Sequence, residues 1–539
     1  MESRVLLYLF VLGFALDIQA FIPSTAGTDF VIPAFYATYG DDVVYDENPK
    51  VYISGVDSSA SINLTVPGQE KSLHFSVGEG CTIPVLLNCR LSAKQVGTQT
   101  SALHLVSDAP IAVRMHQEHL VPNMPTSFLS LPTSMLGTNY FVVDPGNEES
   151  PTELIITAAE GRAEVTITPS SVVDLDGMQY DEGDDFRVNL QRFESLILRS
   201  EGDLTGTEIV SDNPVSVIVG DHCDPNMPGT TLCRQPHQLL PTNLWGKRYV
   251  VTSFTSSEDS VYQIFAISDQ TTVRLLGGGS EVASALIRGE SSIERARPNN
   301  IYVVESDKPV YVLHYEGDGQ ALTALTPDSH RVAGSSSVPA ITASNRNAQA
   351  HLLITTDCAS PEGFKLDLEE LPRSKSIVRA TDDVDCVIRV PVDSGNHVLH
   401  HESPDATYSV TVHVTDDEMS YAYPVGFSVN GIQDSNEELR QDDTPVTMFE
   451  NRPKRKSGVM LTWKKPSSWP GQPQGYRIQI KSARDPGFCQ CRNVIIYNPR
   501  RTNYWIRNLS VGERYIVGIR PFGTMGSGAS TMQVIRRTV

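Results

Sequence analysis

His116-Gln117-Glu118-His119 is the stretch of this chain that comes nearest to a zinc-hydrolase signature. It is one residue short of His-x-x-Glu-His, the spacing that puts two imidazoles on one face of a helix. The residues before it alternate like a strand, and a strand sends His116 and His119 to opposite faces. His397, His400 and His401 read as a solvated strand or turn. Asp174, Asp176, Asp181, Glu182, Asp184 and Asp185 are hard carboxylates of the kind that suits calcium. Their spacing is not that of an EF-hand, so a solvated acidic loop is expected. No Gly-x-Ser-x-Gly elbow and no phosphate-binding loop occurs. Catalytic residues, a metal and a cofactor are therefore not expected.

Eight cysteines fall as four local pairs: Cys81 and Cys89, Cys223 and Cys233, Cys358 and Cys386, Cys489 and Cys491. Closing a short loop costs little chain entropy, which favours disulfides within these pairs. Cys489-Gln490-Cys491 is the exception, because a bridge there closes a strained ring. Asn63-Leu64-Thr65 and Asn508-Leu509-Ser510 are sequons for N-glycosylation. Arg4, the apolar run Val5 to Leu16 and the small residue Ala20 make residues 1–20 a secretory signal peptide. No other stretch reaches the ~18 apolar residues of a membrane span. The expected location is outside the cell, where disulfides persist.

Charge is divided unevenly. Residues 446–539 hold 12 Arg and 5 Lys against Glu450, Asp485 and Glu513, a net of +14. The whole chain carries −21, so residues 1–445 carry −35. Arg452, Lys454, Arg455, Lys456, Lys464, Lys465, Arg500, Arg501, Arg536 and Arg537 are candidate contacts for a polyanion such as a sulfated glycan. The guanidinium fork suits sulfate and carboxylate. The other use of such a domain is docking on the acidic body of its own or another copy. Nucleic acid is not an expected partner. Arg452-Pro453-Lys454-Arg455 also has the form of a furin-type processing site.

The elements that carry these residues are strands. Ala163–Thr168 and Tyr408–Val414 alternate apolar and polar with period 2. No long amphipathic helix is evident, so the class is all-β. Ser107-Asp108-Ala109-Pro110 recurs as Ser211-Asp212-Asn213-Pro214 and Ser306-Asp307-Lys308-Pro309, each followed by an apolar strand, with a worn copy at Ser403-Pro404-Asp405. Asp-x-Pro is turn chemistry, so each copy is expected to be a hairpin. A second element, Leu-Pro followed by Gly-x-x-Tyr, occurs at Leu131 to Tyr140 and Leu240 to Tyr249. About four units of some 100 residues follow, spanning 21–430. Short strands favour a β-propeller; the alternative is serial β-sandwiches. Residues 431–445 form an acidic linker.

Residues 446–539 combine Trp463 on an early strand with Leu509-x-x-Gly512-x-x-Tyr515 before a late one. This resembles a fibronectin type III domain, which implies a β-sandwich with Tyr515 at its tyrosine corner. In the larger region, Cys233-Arg234-Gln235-Pro236-His237-Gln238-Leu239-Leu240-Pro241, Trp245-Gly246-Lys247-Arg248-Tyr249 and Ser420-Tyr421-Ala422-Tyr423-Pro424 resemble the N-terminal region of the IgGFc-binding family. That resemblance implies a secreted, mucus- or surface-associated binding protein. The expected function is recognition or adhesion, with glycoprotein, mucin or matrix partners. The alternative is an extracellular hydrolase whose site is assembled from distant loops in a propeller funnel.

Overall fold

The computed structural model describes residues 24–429 and 448–536, apart from 34–49, 57–58, 68–70, 79, 88–95, 118–125, 147–150, 176, 222–234, 279, 317–320, 342–347, 360, 368, 381–382, 404, 417–419, 454–457, 466–472, 483–491, 508, 512–513, 524–525 and 528–530. The described elements are strands joined by loops and three single-turn 3₁₀ helices. The all-β expectation holds.

Three units are built around one long strand each: Ala102–Gln117, Glu208–Asp221 and Ile301–Glu316. Sixteen extended residues reach roughly 50 Å, far beyond partners of five to seven residues. The strand must therefore serve two sets of partners end to end. In the first unit, residues 102–107 lie between Gly27–Pro33 and Ala60–Val66. Residues 111–117 lie between Lys50–Gly55 and Thr126–Ser130. The two halves belong to facing layers. Phe30, Ile62 and Leu105 from one layer close on Val51, Ile53 and Met115 from the other. The third unit repeats this pairing strand for strand. In the fourth, the long strand is broken into Gly395–His401 and Thr407–Thr415, one in each sheet.

The repeated Ser-Asp-x-Pro is where the long strand changes layers. It is not a hairpin turn. In each copy its four residues lie opposite one residue of the first strand of the unit: Thr28, Thr138 or Lys247. Proline has no N–H to give the ladder, so pairing stops there. The serine hydroxyl closes the bulge: Ser107 and Ser211 donate to Ala109 O and Asn213 O at 2.8 Å, with the carbonyls of Thr28 and Thr138 3.5 and 3.4 Å away, and Ser306 donates to Lys247 O at 3.2 Å. The aspartate accepts an N–H from the neighbouring strand: Ser61 to Asp108 at 2.7 Å, Glu164 to Asp212 at 2.8 Å and Thr272 to Asp307 at 2.8 Å. One tetrapeptide thus holds a bulge and the strands on both sides of it.

A β-propeller is not what the pairing shows. The units are two-layered, with a core inside each rather than between single-sheet blades. They do meet around a centre. Thr126–Ser130, His237–Gln238, Leu322–Ala324 and Ser420–Pro424 each lie beside the next, and the last lies beside the first. Gln235 ties the first and fourth units there. Its Nε2 donates to the carbonyls of Ser127 and Ala422, and its Oε1 accepts the N–H of Ala422. Thr25 and Phe427 exchange hydrogen bonds of 3.0 and 3.1 Å and join the two ends of the ring. Apolar contacts run between units as well: Ile155, Ile197 and Ile218 of the second enter the core of the first.

The Leu-Pro and Gly-x-x-Tyr elements form the junctions. Tyr140 and Tyr249 each accept an N–H from the glycine three residues earlier and donate to Val215 or Val310 across the bulge. Gly27, Gly137 and Gly246 each lie under a proline that opens the next 3₁₀ turn: Pro132, Pro241 and Pro327. A Cβ on Gly137 would lie 2.5 Å from Cβ of Pro241. Gly137→Ala is therefore expected to cost about 1–3 kcal/mol, the usual range for overpacking. Urea unfolding of the full chain measures it, and an unchanged midpoint would show that the junction can give.

Residues 448–536 form a further sandwich. Three strands, Met448–Pro453, Gly458–Trp463 and Asn503–Arg507, face a sheet built on Pro473–Ser482 and Arg514–Gly523. Trp463, Tyr476, Ile478, Val517 and Ile519 fill its core. The Tyr515 hydroxyl accepts the N–H of Ser510 at 2.8 Å. Residues 1–23 and the linker 431–445 lie outside the described residues.

Candidate functional site

Polar side chains gather at the boundary of the third and fourth sandwiches. Ser260, at the start of Ser260–Ala266, lies 2.6 Å from Nε2 of His314 on the neighbouring long strand. Phe254 stacks between His314 and His413, with centroids at 3.9 and 4.9 Å. Nε2 of His413 meets Oε1 of Glu316 at 2.9 Å and Oγ of Ser420 at 3.1 Å. A recess of about 220 Å³ opens beside them, lined by Ser253, Thr255, Glu258, Asp259, Ser260 and Glu316. A serine beside a histidine is the start of a nucleophilic pair. Among the described residues, however, no carboxylate meets the second ring nitrogen of His314; Glu316 pairs with His413 instead. Burial, and then His413, pushes the pKa of His314 down to about 3, so the ring is neutral. The constellation ties strands of two sandwiches together.

Two further clusters do the same. Arg248 of the third sandwich pairs with Asp385 of the fourth and with Asp328 at the junction. Arg331 meets Asp328 at 2.7 Å and Asp385 at 3.4 Å. Between the first and fourth sandwiches, Arg114 is fully buried, 4.4 Å from the ring of Tyr52 and 4.6 Å from that of Tyr423. Its Nη1 donates to Oγ of Ser127 at 2.5 Å. None of these residues stood out as functional in the sequence. Gln235 and Arg248 do sit inside the stretches that carry the family resemblance.

The expected sites are placed as follows. Cys358 and Cys386 are bonded, next to the Asp385 cluster. Cys81 is also disulfide-bonded, to a partner outside the described residues. Cys89, Cys223, Cys233, Cys489 and Cys491 lie outside them. Asn63 is half-buried at the middle of Ala60–Val66, and Asn508 lies outside the described residues. His116 is buried against Tyr52 and Tyr421, and His119 lies outside the described residues. His397 bonds Asp367 at 2.8 Å. His401 is buried beside Phe364 rather than solvated, because its strand packs inside the fourth sandwich. Asp181, Glu182, Asp184 and Asp185 are exposed, as a solvated loop requires. Among the described residues, no group of three side chains could hold a metal.

The basic residues divide. Lys464 and Lys465 follow Gly458–Trp463, while Arg500 and Arg501 precede the strand that pairs with it. The Trp463 N–H donates to Thr502 O at 3.0 Å, so these two pairs share one end of the C-terminal sandwich. Arg452 pairs opposite Met460, toward the other end, and Arg536 pairs opposite Arg514 in the second sheet. Lys454, Arg455, Lys456 and Arg537 lie outside the described residues, and with them most of the processing sequence.

Comparison with known proteins adds the following. The family model described as IgGFc binding protein matches residues 126–413. Human IgGFc-binding protein is 27% identical over 312 residues, which is 57% of this chain and 6% of the length of that protein. Among solved structures, the fibronectin type III domain of human collagen XX is 20% identical, covers 17% of this chain and 90% of its own, and has a TM-score of 0.14. A two-domain fibronectin type III segment of chicken tenascin is 11% identical, covers 38% of this chain and 94% of its own, and has a TM-score of 0.15. The family model takes in more than half of the residues, from the first short central strand to the second half of the broken one, and the chain belongs to the IgGFc-binding protein family.

Proposed function

We propose that this protein is a secreted recognition protein that acts by surface binding without turnover, with glycoprotein, mucin or matrix partners. Family membership carries the reading. The interior supports it: the buried polar side chains at the unit boundaries engage one another, which suits a fixed scaffold rather than a reaction site. The Cys358–Cys386 disulfide supports an oxidising compartment. The C-terminal sandwich, with its buried Trp463 and the Tyr515 hydroxyl turned back to Ser510, supports the fibronectin type III reading of residues 446–539. Its charge of +14 supports binding to sulfated polyanions.

The test is a biosensor panel with the full chain over immobilised mucin, heparin and IgG Fc, the last being the ligand in the name of the human relative. Saturable binding to mucin or heparin is expected, together with no labelling of Ser260 by a fluorophosphonate. Absence of binding to all three, with covalent labelling of Ser260, would replace the reading by a hydrolase.

A further inference from the structure

Of the ten basic residues expected to meet a polyanion, the fold gathers four. Lys464 and Lys465 are exposed at the end of one strand, and Arg500 and Arg501 are exposed on the loop beside them. That loop is shaped from within. The N–H groups of Arg500 and Arg501 donate to Oδ1 and O of Asn498 at 3.0 and 3.1 Å. The Tyr476 hydroxyl donates to Pro499 O at 3.3 Å and fixes the loop to the second sheet. Arg501 Nε donates to Asn503 O at 2.9 Å, and its guanidinium lies 5.8 Å from the ring centre of Tyr504.

The same loop begins at Tyr497, which is 78% exposed. Val494 and Ile496 point into the core, so Ile495 and Tyr497 point out. Arg477, also exposed, pairs directly opposite Ile495. An outward tyrosine therefore borders a ridge of cations. A large aromatic ring that is mostly exposed offers apolar surface, and the cations near it offer charge. A peptide polyanion would use the charge alone. A sulfated sugar chain uses both, with a pyranose face on the ring and sulfates on the arginine forks.

We propose that this end of the C-terminal sandwich, centred on Lys464, Lys465, Arg500, Arg501 and Tyr497, is a binding site for a sulfated glycan. The proposal rests on the polyanion reading above and places it. Two arginines of the same sandwich are set apart from it: Arg514 is drawn to Glu369 of the fourth sandwich, and Arg507 lies at the far end of its strand, opposite Gly458.

The test is heparin affinity of the full chain and three variants, with unsulfated hyaluronan as a second surface. Lys464→Ala/Lys465→Ala/Arg500→Ala/Arg501→Ala is expected to weaken heparin binding at least tenfold and to flatten its dependence on salt, since fewer counterions are displaced. Tyr497→Ala is expected to weaken binding several-fold with the salt dependence unchanged. Arg507→Ala/Arg514→Ala is expected to bind like the parent chain, and hyaluronan to bind weakly. Equal losses in the two arginine-bearing variants would overturn the placement while leaving the polyanion reading intact. A parent chain that ignores heparin at low salt, yet sediments as a dimer there and as a monomer at high salt, would overturn both and give the basic end to the acidic body of a second copy.

Discussion

Asp385→Ala is expected to lower the unfolding free energy of the full chain by about 3–5 kcal/mol, the usual loss when one member of a buried charge cluster is removed. Asp385 is 1% exposed and faces Arg248 and Arg331 at once. Arg248 and Arg331 share Asp385 with Asp328, and Arg248 also meets the partly exposed Glu305 at 3.6 Å. Removing Asp385 takes away the most buried carboxylate of the cluster, beside an Arg331 that is itself buried. Water already reaches Arg248 and Asp328, which are 30% and 21% exposed, but little of Arg331 at 8%. The control is Glu281→Ala. Glu281 meets Arg274 at 2.7 Å, as short as any well-made pair, but both side chains are about half exposed. Solvent screens such pairs to less than about 1 kcal/mol. Urea unfolding of both variants decides the point. If Asp385→Ala is no costlier than Glu281→Ala, the cluster does not hold the two sandwiches together.

What the sequence could say about this protein stops where contacts become non-local. Ala163–Thr168 alternates apolar and polar, and its burial alternates in step. The Cys358–Cys386 bond joins consecutive cysteines 28 residues apart, a pairing that proximity among the cysteines suggests. Ser-Asp-x-Pro was visible as a repeat, and its proline does interrupt pairing. Its geometry was not visible, because a turn and a layer-changing bulge need the same missing N–H. Only the partners on either side, 47 residues away for Ser61 and Asp108, tell them apart. Arg248 and Asp385 are 137 residues apart, and Gln235 and Ala422 are 187 apart. No local pattern marks such pairs. One hint was available: Thr152–Ala158 is buried on both faces, as a strand between two packed layers must be, and its apolar run Leu154-Ile155-Ile156 shows it. The basic end of the C-terminal sandwich was legible as charge but not as a place. Lys464 and Arg500 come to the same end of the sandwich only because their strands pair.

Acid is expected to loosen the ring well before it neutralises the acidic body. His237, His314 and His330 are buried, His351 is half-buried, and all four are held neutral. Burial pushes His237, His330 and His351 down to about 4, and His314 to about 3, from an ordinary 6.5. For His351 the nearby His413 and Arg389 add to the effect. Unfolding frees all four to take up protons near pH 6.5. Stability is therefore complete above about pH 7 and falls as pH drops through 6.5, levelling only near the folded values of about 4 and 3. His237 and His314 are the most deeply enclosed, and each accounts for about 3 kcal/mol of the part of that fall between pH 6.5 and 4.5. The opposing effect is relief of self-repulsion in a body that carries −35 over residues 1–445. Carboxylates take up protons mainly below about pH 4.5, so between pH 6.5 and 4.5 the histidines dominate. The geometry gives the loss a location. His314 and His413 clasp Phe254 at the boundary of the third and fourth sandwiches, and His330 stacks on Phe427 where the ring closes. The urea midpoint of the full chain should fall by well over half between pH 7 and pH 4.5. In His237→Gln/His314→Gln, which keeps polar groups without the titration, the fall should be roughly halved. A midpoint that stays level or rises over that interval would mean that charge relief outweighs the buried imidazoles.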